Sequence, residues 1–203
     1  MKLIGMLDSP YVRRVAISAK CLAIALEHDS VSVFRHFERF QQINPVVKAP
    51  TLVLDDGEVL MDSTLIIDYL ETLAKPANTL MPSEAIPRLR ALRLIGLALA
   101  ASEKSVQLYY ERNLRPEDIQ FEPWVQRVEG QLAAAYAELE RELEKYPLKT
   151  DGSIDQDGIT LAVAWSFTNL VVPDQVDAAQ FPRIVAFTAY AEGLEVFVST
   201  PID

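Results

Sequence analysis

Three short stretches carry side chains suited to chemistry: Asp8-Ser9-Pro10, Lys48-Ala49-Pro50 and Asp62-Ser63. Ser9 stands where an apolar run meets Pro10. It reads as a helix N-cap, with Pro10 as the first helical residue, because the missing proline N–H would be unpaired there anyway. The same position sets a hydroxyl donor beside unpaired N–H groups and the positive end of a helix dipole, which favours a bound anion. Capping and anion binding both fit this pattern. Asp62-Ser63 also precedes a helical segment. An aspartate can accept an ammonium group, and a serine hydroxyl with helix N–H groups suits a carboxylate. Simple capping fits those two residues as well.

The absences narrow the chemistry. A dithiol centre needs Cys-x-x-Cys at a strand-to-helix junction, and here the residues are Ser9-Pro10-Tyr11-Val12. The chain has 1 cysteine. Cys21 therefore has no intrachain partner and reads as a small core hydrophobe. The 203 residues are 50% hydrophobic and carry a formal charge of -10. That is a globular composition whose charge repels phosphate backbones, so nucleic acid is not an expected partner. Arg88, Arg90 and Arg93 read as a solvated helix face. Runs such as Leu97–Ala101 and Leu161–Trp165 are too short to span a bilayer. The start MKLIGMLD lacks a secretory leader's apolar core and cleavage site, so a cytoplasmic location is expected.

These residues need elements to hold them. Lys2–Leu7 reads as a buried strand, and Pro10 to about Leu26 as a helix burying Val12, Val15, Ala16, Ala19 and Ala23. Val31–Phe34 reads as a second strand, completing a right-handed parallel βαβ unit. His36 to Asn44 is an irregular helix. Thr51–Leu54 and Val59–Met61 flank Asp55-Asp56-Gly57-Glu58, a strong hairpin signal. A helix follows from Thr64 to about Leu73. Lys75-Pro76-Ala77-Asn78 with Pro82 and Pro87 marks a linker. Beyond it only helices are expected: Pro87–Leu114, Pro123–Tyr146, Thr160–Val171 and Phe181–Leu194. The fold class is therefore an α/β first domain, residues 1–76, in the order βαβ-(α)-ββα, followed by an all-α domain over 84–203.

At this point the chain resembles the cytosolic glutathione transferase family over nearly its whole length, most closely its serine-type branch and bacterial relatives. The resemblance rests on Ser9-Pro10-Tyr11-Val12-Arg13-Arg14-Val15, on Asn44-Pro45 through Lys48-Ala49-Pro50-Thr51-Leu52, and on Met61-Asp62-Ser63 leading into Ile66-Ile67-Asp68-Tyr69-Leu70. It implies a thioredoxin-like first domain that binds glutathione and needs no metal. Ser9 would donate to the thiol, whose ordinary pKa of roughly 8.5 leaves little thiolate at neutral pH. Lowering that pKa by about two units needs roughly 2.7 kcal/mol, within reach of a charge-assisted hydrogen bond and a helix terminus. The backbone of Ala49 before a cis Pro50 would pair with the cysteinyl part. Asp62 and Ser63 would take the γ-glutamyl ammonium and carboxylate, and Lys48 the glycyl carboxylate, with Arg35 and His36 as weaker candidates for that end.

The resemblance further implies an electrophile pocket from Tyr11 and Val12 with Tyr109, Tyr110 and Arg112, and a homodimer. The family usually has a larger aliphatic residue at Ala49 and glutamate at Asp62. Its capping box on the central buried helix is here Thr160-Leu161-Ala162-Val163, where valine replaces the acid and Asp155 or Asp157 stands in. The implied activity is transfer of glutathione thiolate to a small hydrophobic electrophile. Isomerisation and dehalogenation use the same site. A non-catalytic module that binds a glutathionylated ligand or a protein partner is the competing reading, kept open by Ala49, Asp62 and Val163.

Overall fold

The apolar start of the chain forms β1 (Lys2–Ile4) in the computed structural model, which describes residues 1–202. The strand stops short of Leu7 because Gly5 follows at φ 137°, turning the backbone toward Pro10. Helix α1 (Pro10–Cys21) buries Val12, Val15 and Ala19 as the periodicity requires, and also encloses Arg13, Arg14 and Ser18. It ends well before Leu26. Ala23 takes φ 58°, its N–H donates to the Lys20 carbonyl and the Ile24 N–H to the Ala19 carbonyl. That is a Schellman stop with alanine where glycine is usual.

The second strand is β2 (Glu27–Asp29), not Val31–Phe34. It pairs parallel with β1, Leu3 opposite His28. β2 is a sheet edge with little buried side-chain surface, so it carries no apolar signature. Val31 packs with Ile4 and Phe40 from a loop instead. Ser32 shapes that loop, its Oγ accepting from the Phe34 and Arg35 amides. Helix α2 (Phe37–Ile43) follows. β3 (Thr51–Val53) runs antiparallel to β1, and β4 (Val59–Met61) antiparallel to β3, giving the order β2-β1-β3-β4. Helix α3 (Ser63–Leu73) completes the pattern, with Asp62 as its N-cap.

No strand follows β4 among the described residues. The helices are α4 (Ala85–Asn113), α5 (Glu122–Lys145), α6 (Gln156–Val171), α7 (Pro182–Glu192) and the short α8 (Glu195–Val198). Within the helical unit, Thr168 of α6 bonds both Ser105 of α4 (2.7 Å) and Tyr136 of α5 (2.6 Å) in a fully buried hydroxyl cluster. No described helix is long and apolar enough to cross a membrane.

The chain divides into two units, Met81–Gly193 and the remainder. The segment from Leu194 groups with Met1–Leu80, whereas the sequence reading placed all of 84–203 in the helical domain. Phe197 and the Thr200 carbonyl explain this. Arg13 stacks on the Phe197 ring at 5.3 Å and donates from Nε to Thr200 O at 2.9 Å, while Lys20 donates to Ser199 O.

Helix α6 also corrects the capping expectation. It starts at Gln156 with Asp155 as N-cap, so Thr160 lies inside it, its hydroxyl donating to Gln156 O. Asp155 makes no side-chain cap bond and pairs with Lys149 at 2.9 Å. The position three residues after the cap is Gly158, where a Cβ would meet Phe187 at 2.8 Å. Val163 is 2% exposed in the helix interior and is not a cap position. Val163→Asp should therefore destabilise the protein by about 3 kcal/mol or more, because it buries an unpaired carboxylate. Urea unfolding with an unchanged or raised midpoint would contradict this.

Candidate functional site

Ser9 is half-buried at the N-terminus of α1. Its carbonyl accepts from the Val12 and Arg13 amides (3.1 and 2.9 Å), and its own amide donates to Met6 O. The backbone thus completes the helix start, and the side chain makes no cap hydrogen bond. Among the two readings of Ser9, the capping role is the one its hydroxyl does not perform.

The second part is the turn from Asn44 to Thr51. The Ala49–Pro50 bond is cis, and Val47 takes φ 52°, a conformation unusual for a β-branched residue. A buried polar network holds this turn. Asn44 Oδ1 accepts from the Val46 amide, Asn44 Nδ2 donates to Thr51 Oγ1 at 2.9 Å, and Thr51 Oγ1 donates to Lys48 O at 2.7 Å. Asn44 and Thr51 are both buried. Neither was assigned a role from sequence, although both lie in the motifs flanking Pro50.

The third part is the start of α3. Asp62 sits at φ 73°, one carboxylate oxygen accepting the Thr64 amide at 2.9 Å. Its other oxygen lies 3.7 Å from Lys48 Nζ, so Lys48 faces the Asp62 end of the site in this structure. Ser63 is buried and its Oγ accepts from Arg14 at 3.0 Å. Arg14 also donates to Thr64 Oγ1 at 3.2 Å. Burial pulls the Arg14 pKa down to about 10, against the opposing pull of Asp62 and Tyr11. Sequence reasoning gave Arg14 no role. Its signal was a pair of arginines set among Val12, Val15 and Ile17 on a helix burying those residues.

An open cleft of about 570 Å3 lies between Met6 and Asp8 on one side and Ser30, Ser32, Phe34 and Arg35 on the other. Arg35 approaches Met6 Sδ at 3.2 Å, and His36 Nδ1 accepts from the Ser32 amide, which makes His36 a turn residue. Tyr11 is half-buried. Val12 is 0% exposed and packs against Gly5, so its side chain is core and does not line a pocket as expected. In the helical unit, Tyr109 and Tyr110 have ring centroids 6.3 Å apart near the end of α4. Arg112 pairs with Glu122 at 3.1 Å and reaches Gln120, while buried Glu111 accepts from the Phe121 amide. These contacts tie the end of α4 to the start of α5. Burial pushes the Cys21 thiol up to about 11. No group of three or more metal-ligating His, Cys, Asp or Glu converges among the described residues.

Thr51→Val should strip Asn44 Nδ2 and Lys48 O of their shared hydroxyl at a cost of about 1–3 kcal/mol. The expected observation is a lower urea midpoint with an unchanged slope. An unaltered midpoint would show that the network does not hold the turn.

Residues 3–78 match the family model for the glutathione S-transferase N-terminal domain. The uncharacterized GST-like protein YibF of Escherichia coli (strain K12) is 29% identical over 169 residues, covering 83% of this chain and 82% of that protein. A glutathione transferase family member from Pseudomonas fluorescens Pf-5, solved with bound glutathione, is 28% identical with a TM-score of 0.86, covering 100% of this chain and 98% of that one. A glutathione S-transferase from Methylobacillus flagellatus KT, solved with GSH bound, has the same fold, with a TM-score of 0.89 at 24% identity over 100% and 99% of the two chains. Residues 3–78 thus carry a glutathione S-transferase N-terminal domain, and the thioredoxin-like βαβ-ββα unit with its cis-proline turn and the helical second half are similar in fold to glutathione transferases of known structure.

Proposed function

We propose that the chain binds glutathione at Ser9, the Ala49–Pro50 turn and Asp62–Ser63, holds its thiol as thiolate and transfers it to a small hydrophobic electrophile. The observation that carries this reading is the Ser9 hydroxyl, which sits at the α1 N-terminus and takes no part in capping it. A donor in that place stabilises the thiolate selectively, because the bond strengthens with charge on sulfur and the helix dipole adds to it. The glutathione bound by the Pseudomonas fluorescens neighbour supports the same reading.

In the proposed reaction the sulfur lone pair attacks an electrophilic carbon. An S–C bond forms as a leaving group departs with its electron pair, or as an activated double bond takes up the electrons and then a solvent proton. Ala49 pairs with the cysteinyl part through its backbone. Asp62 accepts the γ-glutamyl ammonium and Ser63 donates to its carboxylate. Lys48, an exposed cation 3.7 Å from Asp62, is proposed to turn to the glycyl carboxylate as Asp62 takes the ammonium. Tyr11 of the first unit is the proposed contact for the electrophile. Isomerisation and dehalogenation would draw on the same thiolate. The protein is proposed to act in the cytoplasm.

Glutathione binding by calorimetry, together with the ultraviolet thiolate band of the bound ligand, tests this. Wild type should bind and show thiolate at neutral pH. Ser9→Ala should raise the bound thiol's pKa by about one to two units while changing affinity far less. Binding without a thiolate band would leave a binding module, and no binding would end the proposal. The family architecture also leads us to propose a homodimer, which sedimentation at micromolar concentration should detect; a monomer there would refute it.

A further inference from the structure

Two arginines of α1 are almost fully enclosed, each 2% exposed, and their surroundings differ. Arg13 is committed to Thr200 O and the Phe197 ring. The hydrogen bonds of Arg14 go to two hydroxyls, Ser63 Oγ and Thr64 Oγ1, and its Nε is buried without a hydrogen-bond partner. Taking a guanidinium out of water costs several kcal/mol. Two neutral acceptors offset only part of that, so the charge projects a strong field onto its neighbourhood. That neighbourhood is the N-terminus of α3, the positive end of its dipole.

A serine hydroxyl has one proton and two lone pairs. The Arg14 hydrogen bond occupies a lone pair of Ser63 and leaves the proton directed away from the guanidinium. Ser63 thereby becomes a one-directional donor. Asp62, the neighbouring residue, supplies the complementary negative charge, with one oxygen held by the Thr64 amide and the other near exposed Lys48. One buried cation and one half-exposed carboxylate on consecutive parts of the same corner match an ammonium and a carboxylate on one carbon.

We infer that Arg14 is a positioning residue for the free α-carboxylate of the γ-glutamyl group, acting through Ser63, and that it sets the site's preference for ligands bearing that carboxylate. The inference rests on the glutathione reading of Asp62–Ser63. The guanidinium remains charged at neutral pH despite its lowered pKa. Both bonds come from Nη1, so lysine could keep the charge but not the fixed plane of the guanidinium.

The test is a cycle in protein and ligand. One ligand is glutathione. The other replaces its γ-glutamyl group by 4-aminobutyryl, which keeps the ammonium and lacks the α-carboxylate. Wild type should prefer glutathione by about tenfold or more. Arg14→Gln should weaken glutathione until the two ligands bind within about threefold, leaving the analogue nearly unchanged; Arg14→Lys should restore part of the preference. A merely structural role for Arg14 would weaken both ligands alike, and that result overturns the inference. Should Arg14→Gln fail to fold, Arg14→Lys is read in the same cycle: a preference narrowed by about threefold or more supports the inference, and one equal to wild type overturns it. Wild type that binds neither ligand would refute the glutathione reading itself. A preference that Arg14 variants leave intact and Ser63→Ala abolishes would refute only the role of Arg14.

Discussion

At Gly5 three parts of the first unit come closer than any side chain would permit. A Cβ there would lie 2.6 Å from Val12 Cγ2 and 3.1 Å from the Ala49 Cβ, in a backbone conformation of φ 137° that L-residues avoid. The end of β1, the first turn of α1 and the cis-proline turn therefore meet on a bare α-carbon. The Gly5 amide also donates to Asp29 O and its carbonyl meets His28 Nε2, extending the β1–β2 pairing past the strand's end. Val12 and Ala49, far apart in sequence, are thereby packed against the same α-carbon.

Around that contact, buried polar groups set directions that apolar packing would leave loose. Asn44 and Thr51 hold the turn before Pro50 from inside, and Arg14 holds Ser63 from beneath. Each such group demands defined partners in fixed geometry, because an unpaired buried donor or acceptor is costly. Positive φ at Val47 and Asp62 falls in the same two places. Unfavourable backbone of this kind persists where surrounding bonds over-determine it, and here those bonds are the Asn44 network and the Asp62–Thr64 cap.

The helical unit is organised differently. Its core is the apolar α6, on which α4 and α7 pack and to which Tyr136 of α5 bonds, and some of the polar contacts within it are tertiary caps. Glu140 of α5 accepts from the Arg183 and Ile184 amides at the start of α7, and Glu111 does the same for Phe121. Acidic residues of α4 and α5 thus accept amides at the starts of other helices. That use leaves no local trace, because the capped amide is remote in sequence.

Local chemistry was enough to read the helix start at Pro10, a helix led by Asp62-Ser63, the Asp-Gly hairpin and the helical second half from the amino acids alone. Each depends on residues within a few positions of one another: a cap, a proline, a turn or a periodic stripe. The motifs around Ser9, Pro50 and Asp62-Ser63 were legible for the same reason. Only the tertiary structure decided that polar Glu27–Asp29 and not apolar Val31–Phe34 pairs with β1, that α1 stops at an alanine, that Val12 is core, and that Leu194 onward joins the first unit. It alone placed Arg14 under Ser63. Strand pairing, burial of a charge and hydrogen bonds to distant amides depend on which surfaces meet, and their free energy is held by pairs of residues that the local sequence does not bring together.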